Sequence, residues 1–180
     1  MEGLSAAVEA GLTQAVGVSN YNTDLMYRAY NRLKSCGISL ASNQVEYSLI
    51  NRAPEKSGLL KMCQDLGVAL IAYSPLGMGV LTGKYTPENP PKGFRGSRYN
   101  RQFLLKIQPL INRLKQFGEA HEMKTRAEVA LNWVICKGAI PIPGAKTGNQ
   151  AMLNAGALGW RLSDDEIAEL DEMSDRVTSS

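Results

Sequence analysis

Four short apolar runs in this chain each end in side chains suited to holding a ligand: Ser19-Asn20, Asn43-Gln44, Tyr73-Ser74 and Gly144-Ala145-Lys146-Thr147. The amides of Asn20 and Gln44 cost roughly 1–3 kcal/mol if buried without partners, so they must either pair locally or meet a ligand. Tyr73 offers a flat face on which an aromatic ring can stack, worth about 1 kcal/mol or more. The stretch P-G-A-K-T-G-N at 143–149 leads into a helix N-terminus, where free amides and the positive end of the dipole suit a phosphate, and Lys146 adds a charge. For any single run a local structural role explains the residues as well; four together favour a site.

These are binding groups, and acid–base machinery is harder to find. His121, the only histidine, lies between Ala120 and Glu122 in a charged helical stretch, where a satisfied or solvent-exposed ring is expected. No Ser-His-Asp or Cys-His arrangement can be built on it. Glu46, just beyond Gln44, is the best-placed carboxylate and is expected to form an ion pair. The segment 77–83 spaces its glycines G-x-G-x-x-x-G with no acidic residue at the expected distance, which excludes the dinucleotide fingerprint of a Rossmann fold. Residues 144–147 are not a Walker motif either. Lys84, Lys92, Arg95, Arg98 and Arg101 cluster within 84–101, as a phosphate-gripping loop or a solvated one. Cys36, Cys63 and Cys136 are widely spaced and odd in number, the pattern of reduced thiols in an intracellular compartment, and too few ligands exist for zinc.

The elements that must position these residues follow from periodicity. The 180 residues, 44% hydrophobic and 21% charged with a net charge of +3, suit one folded domain and do not favour nucleic acid. No apolar run approaches a membrane span, and the N-terminus lacks a signal pattern. Short apolar strands are expected at 15–18, 41–45, 68–72 and 139–142, with Pro141 marking the last as an edge or irregular strand. Helices are expected at 2–12, about 23–36, 55–66, 101–121, 126–137 and 148–158, with a last one opened by the capping box Ser163-Asp164-Asp165-Glu166. Residues 86–100 are too rich in Pro, Gly and charge for a regular element, and 177–180 read as a fraying tail. The first three units repeat at about 27 residues as strand, polar end and helix, a βαβ ladder whose strands run parallel. Ligands bind at the carboxyl ends of such strands.

The motifs A-V-G-V-S-N at 15–20, N-Q-V at 43–45, I-A-Y-S-P-L at 71–76, L-T-G-K-Y at 81–85 and P-I-P-G-A-K at 141–146 resemble the aldo-keto reductase family, most closely its plant chloroplast-type members. The resemblance spans essentially the whole chain. It implies an α/β fold, half of a parallel (β/α) barrel: four βα units equivalent to strands 5–8 of a TIM (β/α)8 barrel. Residues 1–180 would then be a single NADP-dependent oxidoreductase domain truncated at its N-terminus. The family reduces aldehydes and ketones to alcohols with NADPH. By resemblance, Ser19, Asn20 and Gln44 would hold the nicotinamide carboxamide and Tyr73 would stack on its ring. Ser74, Leu76 and Gly77 would follow the pyrophosphate, with Lys84 and Arg95 or Arg98 over it. Gly144, Lys146 and Thr147 would lie near the adenosine 2′-phosphate, and Gln150 and Asn154 by the adenine, although Leu153 stands where an acidic residue often precedes that asparagine.

The family's catalytic Asp, Tyr, Lys and His fall in the first half of the barrel, so this chain is expected to carry no catalytic residue and no metal, and to be weak or inactive alone. The alternatives are a non-catalytic NADP(H)-binding or interaction module and a truncated gene model. Half a barrel also exposes two sheet edges and its interior, so self-association or pairing with an N-terminal half barrel is expected. No transit peptide is visible, whereas the relatives are chloroplastic.

Overall fold

The computed structural model describes residues 1–178. Helix α1 (Glu2–Glu9) leads through a left-handed Gly11 into strand β1 (Val16–Ser19). Then follow α2 (Thr23–Lys34), β2 (Leu40–Glu46), α3 (Ala53–Lys56), α4 (Leu59–Asp65) and β3 (Ala69–Tyr73). A tight 3-10 turn (Gly77–Thr82), α5 (Phe94–Arg98), α6 (Arg101–Ala120) and α7 (Arg126–Cys136) separate β3 from β4 (Ile140–Pro141). The chain closes with α8 (Gly148–Ala155) and α9 (Asp164–Thr178).

The four strands form one sheet in the order β1-β2-β3-β4, every pair parallel. That is the expected ladder, each strand lying within a residue or two of its expected place. Pro141 does sit in an edge strand, where its missing N–H costs no ladder bond on the open side.

Alternation splits the sheet into two faces. Val16, Leu40, Val45, Leu70 and Ala72 are buried beneath the helices, against Met26 and Leu33 of α2 among others. On the other face Ser19, Gln44, Ile71 and Ile140 stand in register as one row across all four strands. Helices do not cover that face, and Ile140 and Ile142 are about half exposed.

Helix starts follow their caps. Asn22, Asn100 and Thr125 accept backbone N–H bonds at the heads of α2, α6 and α7, and Thr125 and Glu128 complete a capping box. Ser163 and Glu166 exchange the expected pair of bonds ahead of α9. A half-buried ionic knot ties α9 to the rest: Arg52 meets Glu55 at 2.6 Å and Asp171 at 3.4 Å, Lys137 also reaches Asp171, and the Trp133 indole N–H donates to it at 2.9 Å.

Three expectations need correction. The helix expected over 55–66 is two helices, α3 and α4, broken at Gly58, whose φ of 77° is left-handed. Residues 86–100 are not wholly irregular: α5 forms there, entered through a left-handed Gly93. Its Gly96 sits so close to the Pro91 carbonyl, 2.5 Å from where a Cβ would be, that no side chain fits. The tail does not fray from residue 177, because α9 runs on to Thr178 and Val177 is buried in the core; Ser179 and Ser180 lie outside the described residues.

Of the cysteines, Cys63 is buried with its Sγ 3.3 Å from the Met26 Sδ, and burial pushes its thiol up to about 11. Cys36 and Cys136 are half-buried and none of the three is disulfide-bonded. No helix among the described residues is long and apolar enough to cross a membrane.

Candidate functional site

The parallel strands deliver their C-terminal ends to one rim. Ser19 and Gln44 are register partners there, and so are Glu46 and Tyr73. The Ser19 hydroxyl donates to the Gln44 carbonyl oxygen at 3.0 Å, and the Asn20 N–H reaches the same oxygen at 2.8 Å. The Tyr73 hydroxyl donates to Asn20 Oδ1 at 3.1 Å, bringing β1 and β3 together across the end of β2. The Gln44 side-chain amide makes no hydrogen bond to any described residue. Asn20 and Ser74, each the first residue beyond its strand, are left-handed with φ of 58° and 51°.

Asn43, adjacent to Gln44, does not join the rim. Alternation turns it under the helices, where it is fully buried, donates to the Tyr21 carbonyl at 2.9 Å and accepts the Tyr21 N–H. Its amide fixes the β1–α2 connection. Glu46 and Arg98 pair at 2.6 Å beside Tyr73, so the ion pair expected of Glu46 is present and Arg98 is held by it, with its guanidinium also 5.4 Å from the Tyr99 ring. Burial pulls the Arg98 guanidinium down, but the hydrogen bond to Glu46 and the neighbouring charges outweigh it, leaving it above its ordinary value.

The second part of the site grows out of β3. Pro75 and Leu76 lead into the turn, where Met78 and Gly79 have φ of 54° and 95°. A Cβ on Gly79 would lie 2.7 Å from Lys84 Cε and 2.8 Å from its Nζ, so the lysine folds back across the turn only because glycine stands there. Gly77 is equally tight, against Ile50. Lys84 Nζ stands 4.8 Å from the Tyr85 ring, and Arg95 donates to the Tyr85 hydroxyl at 3.5 Å. Slight burial raises the Tyr85 phenol, but Arg95 and Lys84 together bring it below its ordinary value. Tyr85 thus links two of the cations that the sequence brought forward. Arg126 packs its guanidinium against Gly83, 3.2 Å from a notional Cβ. The sequence reading gave neither Tyr85 nor Arg126 a role; Tyr85 lies in the L-T-G-K-Y motif, and nothing in the sequence marks Arg126.

The third part follows β4. Ile142 N–H continues the ladder to the Ala72 carbonyl, and residues 144–147 run exposed to the head of α8. Thr147 caps that helix by accepting the Gln150 N–H, and Gln150 Oε1 accepts the Lys146 N–H at 2.7 Å. A Cβ on Gly144 or Gly148 would meet nothing within 4 Å, so the surface here is open. Asn154 lies further along, in a groove between α8 and β4.

Taken together the rim offers amides and a flat ring, then a glycine turn crossed by a lysine, then an open helix N-terminus flanked by Lys146. That sequence of groups can hold a long ligand carrying a planar amide at one end and phosphates beyond it. His121 takes no part: its Nε2 lies 2.9 Å from Glu166 Oε1 and its ring packs on Trp160.

The sequence pattern of the Aldo/keto reductase family matches residues 1–175. The chain belongs to that family. It is 42% identical over 170 residues to the chloroplastic pyridoxal reductase of Arabidopsis thaliana, a match covering 94% of this chain and 46% of that protein. A glycerol dehydrogenase from Gluconobacter oxydans superposes with a TM-score of 0.83 at 24% identity, over 98% of this chain and 54% of the other. The Bombyx mori aldo-keto reductase, solved in complex with NADP, superposes with a TM-score of 0.70 at 26% identity, over 97% of this chain and 50% of the other. The chain therefore spans about half the length of the relatives it matches, and its four parallel strands are half of an aldo-keto reductase barrel.

Proposed function

We propose that this chain is the cofactor-holding half of an NADP(H)-dependent aldo-keto reductase acting on aldehydes or ketones. What most supports this reading is the meeting of Asn20, Gln44 and Tyr73 on one rim, with an amide that bonds to no described residue beside a ring whose hydroxyl is anchored. Nicotinamide carries a carboxamide on an aromatic ring, and such a group matches both. In this reading Gln44 and Asn20 hold the carboxamide, with Ser19 fixing the Gln44 backbone, and Tyr73 presents its face to the ring. Ser74, Leu76 and Gly77 follow the pyrophosphate under Lys84, with Arg95 reached through Tyr85. Arg98 steadies Glu46 at the rim instead. Lys146, Gly144 and Thr147 take the 2′-phosphate at the head of α8, with Gln150 and Asn154 toward the adenine.

The bound cofactor supplies hydride to a carbonyl carbon. The chain's part is to orient the ring and neutralise the phosphates. Protonating the product oxygen falls to residues outside these, since the rim carboxylate of Glu46 is paired with Arg98. Losing a general acid costs typically 10²- to 10⁴-fold in rate.

NADPH titration of the purified chain, followed by cofactor fluorescence, tests the reading. We expect saturable binding, weakened about tenfold or more by Lys146→Ala, with NADH binding little changed, because a charge-assisted contact is worth roughly 1.5–3 kcal/mol. Absence of NADPH binding would sink the cofactor assignment. Turnover of an aromatic aldehyde at the rate of a full-length relative would sink the missing-acid part.

A further inference from the structure

We propose that Tyr85 is a positioning residue: it gathers Lys84 and Arg95 into a two-cation clamp beside the Gly77–Thr82 turn before any pyrophosphate arrives. The proposal rests on the reading of that turn as the pyrophosphate's path and adds a residue that acts through its neighbours.

Lysine and arginine carry long, rotamer-rich stems, and two like charges separate unless a third group holds them. Lys84 lies just past the glycine turn and Arg95 lies in α5, both exposed. Neither forms an ion pair with any described residue. Arg98, one turn further along α5, is by contrast paired with Glu46 at 2.6 Å. What Lys84 and Arg95 share is Tyr85. The lysine Nζ stands 4.8 Å from the centre of its ring, and the arginine Nη1 donates to its hydroxyl oxygen at 3.5 Å.

The ring is the fixed member of the three, half-buried and packed against the core. Helix α5 brings Arg95 to it and is pinned at its far end by the Arg98–Glu46 pair. Gly79, where a Cβ would lie 2.8 Å from Lys84 Nζ, leaves the space that the folded-back lysine occupies. Burial raises the phenol slightly, and the two cations outweigh it, so both act on the same group. Two cations on one neutral phenol leave most of their charge unanswered. A pyrophosphate carries its negative charges on adjacent phosphoryl groups and can take both cations at once. Holding the pair in place during folding removes that ordering cost from binding.

NADPH titrations of the purified chain and of Tyr85→Phe and Tyr85→Ala test this, with adenosine 2′-phosphate, which has no pyrophosphate, as the control ligand. Tyr85→Phe keeps the packed ring beneath Lys84 and loses only the oxygen that holds Arg95; we expect NADPH to bind about threefold more weakly. Tyr85→Ala loses both contacts and should cost about tenfold or more. Adenosine 2′-phosphate should bind all three chains alike. In the ligand-free chain, ultraviolet titration of the phenol, read as the difference between the parent and Tyr85→Phe, should place its ionisation below that of an ordinary tyrosine. Lys84→Ala and Arg95→Ala should each move it back up. Equal NADPH affinity of Tyr85→Phe and the parent, or a loss shared by adenosine 2′-phosphate, would overturn the proposal. If the parent bound no NADPH, the cofactor reading would fall, while the clamp would be decided by the phenol: an ordinary ionisation, unmoved by Lys84→Ala and Arg95→Ala, overturns it in either case.

Discussion

Asn43 and Gln44 are adjacent in β2 and carry the same head group, yet one is sealed and the other open. Asn43 is fully buried and bonded to both the N–H and the carbonyl of Tyr21, while the Gln44 side-chain amide meets no partner among the described residues. The difference is one step of strand alternation. It separates an amide that builds the fold from one that is available to a ligand. Asn132 extends the first kind: inside α7 it donates to the carbonyls of Ala157 and Trp160 at 2.9 and 2.8 Å and accepts the Leu162 N–H, pinning the segment between α8 and α9.

The contrast can be broken by substitution. Asn132→Ala should be the most damaging, leaving two carbonyls and an N–H orphaned in a buried joint; about 3–4 kcal/mol of stability is expected to go, read from urea midpoints. Asn43→Ala should cost about 2–3 kcal/mol for the same reason. Gln44→Ala should leave the midpoint within about 0.5 kcal/mol and instead weaken NADPH binding roughly five- to tenfold, the worth of one hydrogen bond. If the two neighbours gave equal losses of stability, the division between building and binding amides would fail.

The smallest expected effect concerns pH. Burial raises the Glu166 carboxyl, but the bonds from the Ser163 backbone and from His121, with the hydroxyl of Ser163, outweigh it and hold the group below its ordinary value. A carboxyl depressed in the folded state stabilises it above the unfolded value and loses that contribution as the pH falls through the folded one. Thermal melts should therefore show a decline as the pH falls through the carboxylate range, shallower in Glu166→Gln.

Much of the fold was legible because it rests on local signals. Ser163 announced its helix through the capping box, and the four apolar runs announced their strands. Residues 55–66 misled because a single helix was drawn through Gly58, and hydrophobic spacing does not register a left-handed residue. The strand-end positions of the candidate rim were legible in the sequence. Which face each strand-end residue takes, and that Arg98 spends its charge on Glu46, depend on pairings between residues distant in sequence. The two faces of the sheet are the clearest case: A-L-I-A-Y in β3 is apolar enough for burial on both sides, and only the structure shows Ala69, Ile71 and Tyr73 half-buried while Leu70 and Ala72 are buried.

The left-handed residues Asn20 and Ser74 carry a consequence for binding kinetics. Backbone held in that region by a residue other than glycine costs of order 1 kcal/mol, met during folding by the ladder around it. A ligand arriving at the rim finds the two strand ends already stopped in place and has no loop to freeze. Association should then run at the pace of diffusion and orientation, with affinity differences among variants expressed in how long the ligand stays.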